Sequence, residues 1–228
     1  MLFGKFTKII PSDKLAETIL GGQDGLVNTL GVILGIAAAS SDIRIIIGGG
    51  LAACIAESIS MGAVAYTSQR ADRDHYLAEA EKEKKLINEN ASQKKESVRK
   101  IYMEKGFEGR QLNEITKLIT SNKTAWLSIL LSEESKVAPI ATREILTNAF
   151  IVFLAALVGA LIPLFPFFFF SLIPSIYLSL IFSCLALFVL GYYKAKITVG
   201  NPVYSGTELL VIGMSAALVG YAVGYIFR

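Results

Sequence analysis

Residues 20–66 hold two apolar runs, and each has a carboxylate inside it. The first reads LGGQDGLVNTLGVILGIAAASSD and the second IIIGGGLAACIAESISMGAVAY. A helix that crosses a bilayer needs about 20 apolar residues at about 1.5 Å each. After Asp24 the apolar run goes only from Gly25 to Ser40, so a span with margin has to take in Asp24 and residues before it. The second helix runs from Ile45 to Tyr66, with Glu57 in its middle. Without Glu57 that run falls into two pieces, each too short to cross. A charge at such depth costs about 2.5–3.5 kcal/mol on insertion scales, so these groups face a cavity, a partner or an ion. Asp24 and Glu57 are therefore the first candidates for function.

Met61 lies four residues after Glu57, on the same helix face. Carboxylates suit hard cations and thioethers softer ones, so the pair fits a divalent transition metal. A lone methionine is more often packing filler, and a protonated intramembrane glutamate can bond a backbone carbonyl. Both readings stay open at Met61.

Composition separates membrane from insert. The chain is 53% hydrophobic with a mean hydropathy of +0.53, too apolar for an ordinary soluble domain, yet 18% of it is charged. The charges are segregated: 15 of the 22 Lys and Arg, and 12 of the 19 Asp and Glu, lie between Arg70 and Arg143. The expected order is residues 1–66 as a tail with spans one and two, 67–143 as a helical insert, and 144–228 as spans three to five. The small net charge of +3 offers no case for nucleic acid. Cys54 and Cys184 sit in apolar runs without metal-ligand spacing, and read as buried small residues. The N-terminus lacks the apolar core and small-residue cleavage site of a signal peptide.

Residues 1–12 read as a basic tail, with Lys5, Lys8 and Lys14 suited to a cytoplasmic membrane surface. Ser12-Asp13 reads as a helix start, with Glu17 near the positive end of the dipole. Gly31 and Gly35 make a small-xxx-small pair for a neighbouring helix. Gly48-Gly49-Gly50 implies either a crowded backbone contact or local unwinding. No Pro or Gly occurs from Ala63 to Lys105, so span two continues as one helix to about Asn88. Insert helices come next at about Ser92–Glu104, Glu108–Thr120 and Lys123–Glu134. Val98, Ile101, Tyr102, Ile115, Leu118, Ile119, Trp126, Leu127, Leu130 and Leu131 recur at helical spacing and form its expected core. Span three is expected at Ile145–Leu164, span four at Pro174–Tyr193 and span five at Gly206–Phe227, with Glu208 as a structural first-turn carboxylate. The four phenylalanines 167–170 read as an interfacial or lipid-facing plug. The positive-inside rule puts the tail, the insert and the Lys194–Lys196 loop in the cytoplasm. The fold class is all-α: a polytopic membrane protein of five transmembrane helices, with a cytoplasmic helical insert between spans two and three.

Gln23-Asp24-Gly25-Leu26-Val27, Ile59-Ser60-Met61-Gly62 and Asp74-His75-Tyr76 at the head of the insert resemble the vacuolar iron transporter family. The order of two spans, insert and three spans matches too. The resemblance implies a homodimer that moves Fe²⁺, and often Mn²⁺, out of the cytoplasm in exchange for protons. It implies that Asp24 and Met61 are intramembrane metal-path residues. The glutamate many members carry four residues before Glu57 is Ala53 here. In the family's plant form the insert binds metal through glutamates on its long helix and the next one, and through methionines and glutamates on its last. Here Glu83 and Glu134 match such ligands, while Leu86, Lys94, Leu130 and Leu131 stand at positions where ligands are expected. Metal binding in the insert is thus expected to be weak or absent, with Glu79, Glu83 and Glu134 as its possible ligands. The alternative is ordinary ion pairing on a solvated helix face. His75, the only histidine, is either a metal or proton relay at the mouth of span two or a neighbour of Asp72 or Asp74.

The expected function is transport of a divalent transition metal, Fe²⁺ and also Mn²⁺, with no permanently bound cofactor and no enzyme chemistry. The expected partners are a second copy, the bilayer, the metal ion and protons. The membrane is that of the cell or of a vacuole-type compartment. The alternative is a non-transporting sensor or scaffold of the same fold, whose basic insert binds a partner or anionic lipid. A di-iron enzyme is disfavoured by the single histidine and the absence of Glu-x-x-His repeats.

Overall fold

The computed structural model describes residues 12–198 and 200–228, with side chains from Leu15 onward. The basic tail with Lys5 and Lys8, and the side chains of Ser12, Asp13 and Lys14, lie outside the described residues. The described chain is helical and without strands. Its helices are α1 (Ser12–Ala39), α2 (Ile43–Glu89), α3 (Ala91–Glu104), α4 (Gly109–Ser121), α5 (Lys123–Ile129), α6 (Thr142–Leu164), α7 (Leu172–Ile197) and α8 (Pro202–Ile226). A π-helical turn, Leu130–Glu134, comes after α5, and a 3₁₀ turn, Phe165–Phe168, after α6. Five of the helices, α1, α2, α6, α7 and α8, are long and apolar enough to cross a membrane. Two compact units result: Met1–Tyr66 with Leu146–Arg228, and Thr67–Ile145.

In the first unit, α1 is flanked by α6 and α8 with almost nothing between the backbones. A Cβ on Gly25 would fall inside the Ala156 carbonyl, and one on Gly159 inside the Gly22 carbonyl. On the other side a Cβ on Gly220 would strike the Gly31 carbonyl, and one on Gly224 the Gly35 carbonyl. Small residues let membrane helices approach this closely, where packing and not water exclusion drives association. The Gly31–Gly35 pair thus has its partner on α8. The triple glycine does not unwind: α2 is continuous through it. Gly50 leaves room for Leu164 and Ile33, whose side chains come within 2.6 and 3.1 Å of its would-be Cβ.

Ile33, Ile46, Leu164 and Phe167 form the buried cluster that ties α1 and α2 to the end of α6. Phe167 is therefore core, not plug, while Phe168, Phe169 and Phe170 are exposed as expected of lipid-facing rings. The ring that comes after Pro166 turns inward because the 3₁₀ turn is tighter than an α-helix. Asp42 starts α2 by accepting from the Arg44 N–H at 2.8 Å. Asn201 does the same for α8, accepting from Val203 and Tyr204 with Pro202 as the first helical residue. Span five thus begins four residues earlier than expected, and Glu208 falls in its second turn.

In the second unit, Ile87, Val98, Trp126 and Leu130 are buried together, with Ile101, Tyr102, Ile119, Leu127 and Ile129 against them. Leu118, expected in this core, is 72% exposed, and the buried face of α4 is instead Leu112 and Thr116. Gly106, at φ +90°, ends α3. The Phe107 N–H then donates to the Tyr102 carbonyl at 3.1 Å, closing the turn.

Candidate functional site

Asp24 sits on the fourth turn of α1, between Gly22 and Gly25, and Glu57 on the span portion of α2. The Glu57 side chain lies within hydrogen-bonding reach of the Asp24 carboxyl group and of the Asn28 side chain. The two carboxylates that were separate features of two apolar runs are thus one site. Asn28 lies four residues after Asp24, on the same face of α1, which explains why both reach Glu57. Asn28 was missed in the sequence; its only signal was an amide inside an apolar run. Asp24, Glu57 and Met61 are half-buried and Asn28 is exposed, so the site opens to one side.

Two ionised carboxylates set this close repel each other, and a cation between them relieves that repulsion. The same oxygens, once both are ionised, are hard ligands for a divalent cation. Met61 stands one turn beyond Glu57 on α2, placing a thioether beside the pair in sequence and face. Behind it, Gly62 lets α6 approach, with the Phe153 Cβ 3.0 Å from its would-be Cβ. Among the described residues no cluster of three or more His, Cys, Asp and Glu forms that could hold a metal ion.

Nearer the start of α1, Asn148 of α6, fully buried, donates to the Glu17 carboxylate. Glu17 therefore has a side-chain partner in another span as well as its place near the helix start. Ser58 donates to the Cys54 carbonyl at 2.6 Å, so its hydroxyl is spent within α2. The Cys184 thiol lies 3.4 Å from the Met214 sulfur between α7 and α8. Both cysteines are free.

In the second unit the expected ligands take cations from the chain itself. Glu79 pairs with Lys82 at 3.1 Å on the surface of α2. Glu83 and Glu134 converge, but on Lys94: its Nζ is 2.8 and 3.0 Å from the Glu83 oxygens and 3.1 Å from Glu134 Oε1. Burial pushes the Lys94 ammonium down, but its hydrogen bonds to Glu83 and Glu134 outweigh that and hold its pKa above the ordinary lysine value. His75 is exposed on α2, and neighbouring Asp74 pairs with Arg70 at 3.8 Å.

Five membrane-length helices, with a polar helical insert after the second, define an integral membrane protein. The chain belongs to the VIT family, whose family model matches residues 15–225. It is 31% identical to vacuolar iron transporter 1 of Tulipa gesneriana over 216 residues, 92% of this chain and 86% of that protein. It is 27% identical to vacuolar iron transporter 1 of Arabidopsis thaliana, covering 93% of this chain and 85% of the relative. The vacuolar iron transporter of Plasmodium falciparum is 29% identical over 231 residues, 96% of this chain and 84% of its own length.

Proposed function

We propose that this protein transports divalent transition metal, Fe²⁺ and also Mn²⁺, out of the cytoplasm in exchange for protons. The approach of the Asp24 and Glu57 side chains, one from each of the first two spans, carries this reading. A proton and a metal ion would compete for the same carboxylate oxygens there. Arrival of the ion displaces the proton; departure of the ion to the far side lets the pair take a proton up again. Met61 supplies a thioether that favours Fe²⁺ and Mn²⁺ over the harder Mg²⁺ and Ca²⁺. No bond to the cargo is covalent, and the protein is not an enzyme.

The site acts in a homodimer. Half-exposed carboxyls at bilayer depth would face acyl chains, a cost of about 2.5–3.5 kcal/mol for each ionised group. A second copy set against the open side covers both sites at once and brings the oxygens and sulfurs of two chains to one ion. The close glycine seams around α1 suit the small sliding of packed helices that alternating access needs. The insert faces the cytoplasm, by the excess of Lys and Arg in it.

The test is Fe²⁺ and Mn²⁺ uptake into proteoliposomes under an imposed pH gradient, for the unaltered protein, Asp24→Ala and Glu57→Gln. Gradient-driven uptake that both substitutions abolish is expected. A folded, dimeric protein that moves neither metal would sink the transport reading. It would favour the rival one, a sensor or scaffold that works through its basic insert.

A further inference from the structure

The insert holds a second pair of carboxylates, and its arrangement differs from a solvated ion pair. Glu83 is 3% exposed and Lys94 8%. Three separate elements meet there: α2 with Glu83, the first turn of α3 with Lys94, and the end of the π-helical turn with Glu134. The wide turn matters, because an extra residue in the ring rotates the next residues by about 100° relative to a regular helix. Ser135 donates to Leu130 at 3.0 Å, the five-residue step of a π-helix, immediately after Glu134. Glu83 presents both carboxylate oxygens to the ammonium, at 3.0 and 2.8 Å, and both are buried from solvent with it. Two carboxylates against one lysine also leave the cluster with a net negative charge.

We propose that Lys94 is the resident cation of the insert: Glu83 and Glu134 form a cation cradle whose ion is supplied by the chain, and the cradle takes a hard divalent ion only when that ammonium is removed. An ammonium at 2.8–3.1 Å satisfies the oxygens electrostatically. It also blocks the approach of an ion that would bind them at about 2.0–2.6 Å. The insert is therefore held together at any metal concentration, and metal loading at this cradle is no condition of its fold. This inference does not depend on the transport reading.

Mn²⁺ is the probe, because its free and bound forms separate in paramagnetic resonance. Full-length protein carrying Asp24→Asn and Glu57→Gln provides a background in which the intramembrane site is disabled, so failure here and failure of transport remain distinct. In that background, Mn²⁺ binding is compared with Lys94 intact, with Lys94→Met, and with Lys94→Met plus Glu83→Gln. With Lys94 intact, Glu83→Gln should change nothing in Mn²⁺ binding. Lys94→Met should gain one Mn²⁺ per chain with a midpoint of about 0.1–1 mM, the range of weak oxygen sites. Adding Glu83→Gln should abolish that gain. Glu83-dependent Mn²⁺ binding with Lys94 intact overturns the proposal, as does a folded Lys94→Met that gains none. If Lys94→Met unfolds the insert, Mn²⁺ must restore the buried emission of Trp126, and failure to do so also overturns it.

Discussion

The molecule contains two carboxylate pairs, and they are resolved in opposite ways. The Asp24 and Glu57 side chains approach each other, and Glu57 also lies within reach of the neutral amide of Asn28. Glu83 and Glu134 bond to a lysine. In the proposed transport reading, the first arrangement takes up a proton and exchanges it for an ion. The second has its counter-charge built in and cannot give it up. Buried carboxylates are expensive alone, so each must find a positive partner; whether that partner is diffusible or covalent decides whether the pair can work on cargo.

The sharpest break of this contrast is at the first pair. Asp24→Asn keeps shape and removes charge, and should lower metal uptake in proteoliposomes at least about 100-fold, beyond the 10–100-fold typical of outer-sphere partners. Its thermal unfolding should stay close to that of the unaltered protein. At the second pair the signs reverse. Lys94→Met strands Glu83 in the core and should reduce insert stability by about 3 kcal/mol, the lower end of losses for broken buried pairs. Trp126, the only tryptophan, is buried in the insert core, so denaturant titration tracked by its fluorescence reads that unit. The same group predicts an alkaline limit. The Lys94 pKa is raised on folding, so its stabilisation is complete below the unfolded lysine value of about 10.4 and is lost as pH rises through the folded value. The Trp126 midpoint should hold from neutral pH to that limit and fall above it, and Lys94→Met should erase the fall. Glu134→Gln should cost about 1 kcal/mol, because its side chain is 40% exposed and solvent screens the pair. Smallest of all is Lys105→Ala: its pair with Glu133 at 2.8 Å lies on the surface, and neither uptake nor the Trp126 transition should move.

Much of the fold is legible in the sequence, and the parts that are not share a common cause. The five spans, the long α2 and the glycine pair on α1 come from run length, absence of breakers and small-residue spacing, all of them local. The core of α4 does not. Periodicity establishes that Ile115, Leu118 and Ile119 share a stripe but not where the stripe is centred. Packing centres it on Leu112 and Thr116 and leaves Leu118 outside. At the sites the limit is the same. Asp24 and Glu57 stand out singly by their depth, whereas their approach and the part of Asn28 depend on how two helices are rotated against each other. Lys94 is visible as a basic residue among expected ligands. That its ammonium sits between Glu83 and Glu134 depends on a π-helical turn, which leaves no periodic mark in LLSEE.

The glycines that bracket Asp24 also constrain how the protein can move. Gly22 and Gly25 bear on the backbone of α6, and Gly31 and Gly35 on that of α8. With both flanks in backbone contact, α1 is keyed into a two-sided slot, and any turn about its axis would drive side chains into its neighbours' main chains. The direction in which Asp24 points is thus dictated by its neighbours' main chains.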